Sequence, residues 1–175
     1  MANKAVLKGF KPLNGRDAAT NNYIMGTGET TQEGDILYLN SAGYATGIAS
    51  TNPILGVQAA AFTTYGVVPS TYAASTTLGN TIVPVWDDPN LEFVGMQLSF
   101  SQADPYTTAA YGAAYDVAGA YGAQYIDQGA SSLDTFKIMR LAAEFDTGKL
   151  SVAGAYAKVV CKINPARHFI SKQVS

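Results

Sequence analysis

The chain of 175 residues has the length of a single domain, and only 14% of its residues are charged, well below the usual quarter. Its single cysteine excludes an internal disulfide. No stretch approaches the roughly 20 consecutive apolar residues of a membrane helix. The N-terminus lacks a hydrophobic segment with a cleavage pattern. We therefore expect neither a membrane span nor a secretory signal.

The charges are unevenly distributed along the chain. Residues 1–16 hold four cations and no acid, and residues 147–175 hold five cations and no acid. All thirteen acids lie between these segments. Basic ends on an acidic body favour termini that meet an acidic surface, of protein or nucleic acid. The alternative is that the lysines line solvated strand faces, and this interpretation is favoured for Lys158 and Lys162.

A long stretch of the chain is free of charge. Between Asp35 and Asp87 there is no Asp, Glu, Lys or Arg. This indicates either a surface that partners cover or a β-domain whose solvated face carries Thr, Ser and Asn.

The N-terminal residues 1–22 contain several Gly and Pro residues and little periodicity, so we expect an extended arm that is ordered only where it lies against something. Its cations and apolar side chains are candidates for contact with a partner: Lys4, Val6, Leu7, Lys8, Phe10, Lys11 and Arg16.

Short strands and turns follow the arm. A turn at residues 33–35 leads into ILYLN, and a second turn at residues 41–43 predicts a hairpin whose second arm is YATGIA. Asn52-Pro53 opens a third strand, ILGVQAAAFT, in which Gly56 indicates a bulge or a close backbone approach.

The central stretch from Ile82 to Phe100 predicts a β-hairpin. Its first run is continuously apolar and ends at the only tryptophan, Trp86, so both faces should be buried, while Pro84 indicates an edge or a bulge. The turn formers Asp87-Asp88-Pro89-Asn90 follow. In the second run apolar residues alternate at period two, which is typical of a strand with one buried side.

Residues 103–132 form the least regular segment, and we expect a long loop rich in Gly, Ala and Tyr. Two decapeptides, YGAAYDVAGA at 111–120 and YGAQYIDQGA at 121–130, agree at six of ten positions. Tyrosine is enriched at interfaces, so the tyrosines here are candidates for a self-interface; an ordinary low-complexity loop is the alternative. They are Tyr106, Tyr111, Tyr115, Tyr121 and Tyr125.

The C-terminal part predicts two further strands, at 133–143 and in LSVAGAYAKVVCKIN. The alternation around Cys161 predicts a buried, inert thiol. The last residues, 166–175, form a short basic tail in which Arg167 and Phe169 are candidate partner contacts.

The sequence contains few candidate catalytic residues. His168 and Cys161 are the only residues of their types, and no nucleophile, zinc or phosphate-binding motif is present. Asp87, Asp88 and Glu92 are conceivable Ca²⁺ ligands or paired carboxylates, but their spacing equally suits a turn. We therefore predict no enzyme activity, no cofactor, no metal and no reading of nucleic-acid bases.

Several short motifs resemble the decoration, cement or auxiliary capsid proteins of tailed bacteriophages: EGD at 33–35, PILGV at 53–57, DDP at 87–89 and a terminal strand ending at Ile163-Asn164. The resemblance covers roughly residues 30–165. It implies a β-rich body on the outside of the phage head that reinforces the major capsid lattice, with no catalytic residues.

Together these features predict an all-β protein, a compact barrel or sandwich of short antiparallel strands over residues 23–165. We expect a non-enzymatic virion structural protein that is made in the host cytoplasm and binds the phage major capsid protein and neighbouring copies of itself. The alternative is a head-fibre or receptor/carbohydrate-binding β module that uses exposed tyrosines and Trp86. A hydrolase that uses Asp87, Asp88 or Glu92 is the third and least favoured hypothesis.

Overall fold

A computed structural model describes residues 9–13, 18–47, 51–61, 63–64, 76–98, 112–127, 129, 132–142 and 157–170. The elements in these ranges are twelve short strands, and the prediction of an all-β fold is confirmed. The strands are β1 (Lys11–Pro12), β2 (Asn21–Ile24), β3 (Ile36–Leu39), β4 (Ala45–Thr46), β5 (Ile54–Gln58), β6 (Thr63–Thr64), β7 (Thr81–Trp86), β8 (Phe93–Leu98), β9 (Ala114–Ala118), β10 (Tyr125–Asp127), β11 (Phe136–Leu141) and β12 (Lys158–Ile163).

The strands form two six-stranded sheets. Sheet A has the order β1-β8-β10-β9-β11-β12, and because β12 also pairs with β8 its pairings run round in a ring. Sheet B has the order β2-β7-β5-β3-β4, with β6 beside β7. A single bridge between Met25 and Ala45 links the end of β2 to β4, so sheet B curls into a half-barrel. All pairings of the named strands are antiparallel except that of β8 with β10.

The main hydrophobic core is shared by the two sheets. Phe10 lies at its centre, with its ring centroid 4.4 Å from that of Phe136, and Phe93 packs on Phe136 from another side at 6.1 Å. Sheet B contributes Ile36 and Tyr38. Full burial of each large apolar side chain contributes roughly 1.5–3 kcal/mol, so this cluster is a major source of stability.

Sheet B is also buried on its other face. Leu37 points away from the main core, into a second cluster with Met25, Leu55, Val83 and Val85. This explains why β3 and β5 read as continuous apolar runs: both of their sides are covered. The register shifts between Leu37 and Tyr38 opposite β5, and a Cβ at Gly56 would lie 2.3 Å from the carbonyl oxygen of Trp86. Both the predicted bulge and the predicted close approach are therefore present.

The predicted central hairpin is wrong in its pairing, although both of its strands exist. β7 belongs to sheet B and β8 to sheet A, so the turn at Asp87–Asn90 carries the chain from one sheet to the other. Pro84 is tolerated inside sheet B because its neighbour is interrupted there: β5 ends at Gln58, and the N–H of Ala59 donates to the carbonyl of Pro84 at 2.9 Å.

The described parts of the predicted N-terminal arm belong to the domain. β1 pairs with β8 and β2 pairs with β7, while the N–H of Phe10 donates to the carbonyl of Gly34 at 2.8 Å. Residues 9–13 and 18–22 therefore lie in the sheets and the core. The predicted domain boundary at residue 22 is therefore wrong, because described residues on both sides of it lie in the same sheets.

The predicted loop at 103–132 also contains structure. β9 and β10 pair antiparallel, so each copy of the decapeptide supplies one arm of a hairpin. The turn between them uses Gly119 and Gly122 at φ of 102° and 73°, a region that glycine adopts without strain. The hairpin of β3 with β4 and the strands at 136–141 and 158–163 are as predicted.

Cys161 is fully buried and inward-facing, as predicted, and burial raises the pKa of its thiol well above the usual value. Lys158 is buried as well, so its interpretation as a solvated strand residue is wrong; Lys162 is half-buried.

Candidate functional site

The two sheets differ in charge. Every charged residue of the strands lies in sheet A, on β1, β9, β10, β11 or β12, whereas the six strands of sheet B contain none. The described strands of the uncharged stretch, β3 to β7, therefore all lie in sheet B, together with the equally uncharged β2.

Part of this uncharged sheet is open to solvent. Along β2 and β7, Asn22 lies opposite Pro84 and Ile24 opposite Ile82. Directly opposite residues of antiparallel strands point to the same side of the sheet, so these four side chains form one surface, here called the β2–β7 face. Ile24 is 42% exposed, Asn22 is exposed, and Ile82 and Pro84 are half-buried. The exposed isoleucine and the two half-buried apolar residues form a small apolar surface that a partner can cover.

A groove of about 380 Å³ adjoins the β2–β7 face at Pro84. Its other lining residues are Thr20, Glu33, Ala59, Ala60 and Trp86. Trp86 is only 4% exposed, and among the described residues its indole nitrogen has no hydrogen-bond partner. Because its ring is buried, Trp86 cannot serve as the exposed stacking platform that the carbohydrate-binding alternative requires. The groove suits a small side chain or a peptide segment of a partner.

A polar cluster on the opposite side of β2 fixes this strand in place. The Nδ2 of Asn21 donates to both carboxylate oxygens of Asp87, at 3.0 and 2.9 Å, and the hydroxyl of Tyr23 donates to the same carboxylate. Burial, followed by the hydrogen bond to Asp87 and its charge, raises the pKa of Tyr23. The phenol therefore stays protonated, and β2 remains tied to the end of β7 over the physiological pH range.

The carboxylates considered as metal ligands or catalysts are each engaged separately. Asp87 is buried against Asn21 and Tyr23, an Asp88 oxygen accepts from the N–H of Asn90 at 2.8 Å, and Glu92 pairs with Arg140 at 3.0 Å. Within the described ranges no group of three or more His, Cys, Asp or Glu side chains is placed to hold a metal ion. Each of these three carboxylates is therefore bonded to a different group of the domain.

The C-terminal candidates are occupied by the domain. The guanidinium of Arg167 donates to the carbonyls of Leu133 and, at 3.1 Å, Asn52. Phe169 packs on the second core and is half-buried. Both side chains therefore fasten residues 166–170 to the domain, and their role as partner contacts stays a prediction.

His168, beside them, is fully buried, and its Nδ1 accepts from the N–H of Ile170 at 3.2 Å. Burial lowers the pKa of the imidazole, against the opposing effect of Asp87 and Asp88.

Of the candidate contacts in the N-terminal arm, Lys4, Val6, Leu7, Lys8 and Arg16 lie outside the described residues. Phe10 is fully buried in the main core, so its prediction as a surface anchor is wrong. Lys11 is exposed and pairs with Glu33 at 3.3 Å, and its role as a partner contact stays a prediction.

The candidate tyrosines are partly accessible. Tyr115 and Tyr125 are half-buried and Tyr121 is 38% exposed, whereas Tyr106 and Tyr111 lie outside the described residues. A second groove, of about 410 Å³, runs beside Tyr121. Its lining consists of Tyr38, Gly47, Val117, Gly119, Ala120, Tyr121 and Gln124.

The turn that carries Tyr121 is held by a buried carboxylate. The N–H of Gly122 donates to the oxygens of Asp35 at 2.8 and 2.9 Å, and the Oε1 of Gln124 accepts from the N–H of Ile36 at 2.8 Å. Burial raises the pKa of Asp35, against the opposing backbone hydrogen bonds from Gln32 and Gly122. These bonds tie the turn on one side of the groove to Asp35 and Ile36.

No pattern in the sequence indicates the β2–β7 face directly, since β2 lies inside the predicted arm. The absence of charge is the pattern that relates β2 to sheet B. Residues 18–28 are as free of Asp, Glu, Lys and Arg as the stretch between Asp35 and Asp87.

Comparison with known proteins assigns no family to this chain. A scan of protein-family models found no match to the chain, and searches of curated proteins and of solved structures found no significant match either. In the part of the chain that the structure describes, no helix has the length and hydropathy needed to cross a membrane.

Proposed function

We propose that this chain is a non-enzymatic virion structural protein that binds the outside of a tailed-phage major capsid lattice and stabilises the head. The observation that carries the proposal is the uncharged sheet B, with its exposed β2–β7 face and adjoining groove. Charged groups are depleted at the centre of protein interfaces, and apolar groups are found there. A surface of this kind suits permanent contact with another protein.

The remaining features are compatible with a role in assembly. The short motifs between residues 30 and 165 resemble capsid decoration proteins. The carboxylates of the described residues that could serve in catalysis are bonded to neighbouring side chains or backbone. In this proposal the capsid protein supplies an apolar segment that fits the groove beside Pro84, while the basic ends add charge attraction, screened over about 8 Å at physiological salt.

The test uses two matched alanine-to-arginine variants. Ala60 is exposed at the groove beside Pro84, and Ala120 is exposed at the groove beside Tyr121. We expect Ala60→Arg to weaken binding to phage heads that lack the protein by about tenfold or more, because the long arginine side chain would fill the groove that the capsid segment is proposed to enter. Ala120→Arg should bind as the unaltered chain does. Co-sedimentation with heads over a protein titration measures both, and equal affinities would contradict the proposal.

A receptor- or carbohydrate-binding module remains a second candidate because of the groove beside Tyr121. A half-exposed tyrosine next to the amide of Gln124 offers both a stacking face and hydrogen bonds. The same pair of variants separates the two functions. If Ala120→Arg abolishes binding to a glycan array and Ala60→Arg leaves it intact, the second candidate replaces the first.

A further inference from the structure

Two lysines lie directly opposite each other on the outer side of sheet A. Lys137 of β11 pairs with Lys162 of β12 in the antiparallel register. The adjacent pair, Ile138 and Cys161, points into the main core. Because side chains alternate along a strand, both lysines point to the opposite, outer side of the sheet. Each of them is half-buried.

The charges of this lysine pair are not neutralised by the domain. Like charges in directly opposite positions destabilise paired strands. Neither lysine takes part in an ion pair within the described part of the chain, where the two ion pairs present involve other cations. On its other side Lys137 lies opposite Ala114 of β9, which brings no charge.

Two acids that are close to this pair in the strand register are bonded to other groups. By the register of β8 with β12, Glu92 comes next to Lys162, but its carboxylate accepts from the guanidinium of Arg140 at 3.0 Å. Asp116 of β9 accepts from the three consecutive backbone N–H groups of residues 132–134. Both carboxylates therefore already have donors.

A β-bulge exposes a methionine beside the two lysines. The register of β11 with β12 shifts between Ile138 and Arg140, so Met139 is the extra residue. Met139 is 39% exposed, and Arg140 is exposed as well. Bulges re-aim side chains, and the flexible methionine side chain is common at binding surfaces. Lys137, Met139, Arg140 and Lys162 form a surface, here called the β11–β12 face, in which one apolar side chain lies among three cations.

We propose that the β11–β12 face binds an acidic protein segment that also carries an apolar side chain. A carboxylate of the segment lies between Lys137 and Lys162, where charge-assisted hydrogen bonds replace the repulsion of the two ammonium groups. The apolar side chain packs on Met139. This face belongs to sheet A, whereas the β2–β7 face belongs to sheet B. The proposal therefore goes beyond the capsid role and does not rest on it.

The composition of the face favours a protein over a nucleic acid. Proteins that bind single strands stack the bases on aromatic side chains in a basic groove. The large apolar side chain exposed at the β11–β12 face is the aliphatic Met139, and the exposed Tyr121 belongs to the turn between β9 and β10. Binding to a duplex draws on many phosphate contacts, whereas three cations suit one or two carboxylates.

The first test measures binding of a labelled peptide of alternating glutamate and leucine to the full chain by fluorescence anisotropy. We expect the dissociation constant to rise about threefold in Lys137→Gln and in Lys162→Gln and to be unchanged in Lys11→Gln. Lys11→Gln is the matched control because it removes the same charge from β1, where Lys11 is paired with Glu33. Equal effects of the three variants, or no binding up to millimolar peptide, would overturn the proposal.

Two further probes identify the chemistry of the partner. Met139→Gln should weaken binding of the glutamate–leucine peptide and leave a glutamate–glycine peptide unaffected; equal losses for both would overturn the apolar part of the proposal. Oligothymidylate should bind more weakly than the glutamate–leucine peptide. If it binds more tightly and responds to the same lysine variants, the partner is a nucleic acid and the proposed protein segment is wrong.

The second test needs no partner, because it measures the repulsion in the free protein. Lys137→Gln and Lys162→Gln each remove the same unfavourable pair. In a double-mutant cycle by urea unfolding, the double variant should therefore gain less stability than the sum of the two single variants. Additive effects would show that the two lysines do not repel each other, and the proposal would fall.

Discussion

Phe10 provides the sharpest test of how the N-terminal residues are used. The side chain is fully buried, with its ring 4.4 Å from that of Phe136. A Cβ at Gly95 would lie 2.4 Å from the Phe10 ring, so β8 has a glycine where the phenylalanine passes. If Phe10 were a mobile anchor awaiting a partner, its removal would leave the isolated domain unchanged.

The substitution Phe10→Ala should be strongly destabilising. Phe→Ala changes in a packed core cost about 3–5 kcal/mol, from lost transfer free energy and the remaining cavity. The whole domain has a free energy of unfolding of about 5–15 kcal/mol. For a chain of this size each kcal/mol lowers Tm by about 2–4 °C, so we expect a fall of roughly 6–20 °C.

Differential scanning calorimetry and urea unfolding of the free protein measure this change. Met139→Ala is the matched control, because Met139 is exposed on β11 and should alter stability by no more than about 0.5 kcal/mol. A Phe10→Ala variant that melts together with this control would refute the placement of Phe10 in the core.

Three further predictions concern titratable groups. Cys161 is buried and its pKa is raised, so thiol reagents should label it slowly without denaturant; rapid stoichiometric labelling would contradict this. Burial lowers the pKa of His168, so the folded state disfavours the proton, and its contribution makes stability decline as pH drops below about 6.5. His168→Gln should reduce that decline in urea unfolding between about pH 7 and 5, and an unchanged slope would argue against it. Asp87→Asn should cost about 1.5–3 kcal/mol in the same assay, because Asp87 accepts bonds from Asn21 and Tyr23. The exposed Asp88→Asn should cost no more than about 0.5 kcal/mol, and equal costs would show that the Asp87 bonds contribute little.

Period-two alternation and turn residues were sufficient to locate most strands. The runs at 36–39, 54–58, 82–86 and 158–163 lie in strands as predicted, because a buried face leaves an apolar pattern in the sequence. Gly56 could be interpreted for the same reason, since a glycine inside a strand has few other uses.

Strand pairing could not be predicted equally well. The residues Asp87 to Asn90 favour a reversal of the chain, but a reversal within one sheet and a crossing between two sheets use the same turn formers. The bonds from Asn21 and Tyr23 to Asp87 span 66 and 64 residues, so no local pattern contains them. Phe10 was misplaced because β1 has only two residues, too few for any periodicity.

The strand β2 itself was hidden for a related reason. Asn21-Asn22-Tyr23-Ile24 is too short and too polar to read as a strand, and it becomes one because β7 pairs with it. Its edge position depends on the order of the whole sheet, which emerges only when distant segments come together.

The most direct test of the proposed role is a reconstruction of the phage head at a resolution that traces this chain. The account predicts the chain on the outer surface of the lattice, with the β2–β7 face and its groove covered by protein. A chain placed inside the head or on the tail would contradict it, as would a lattice contact made through sheet A with the β2–β7 face left in solvent.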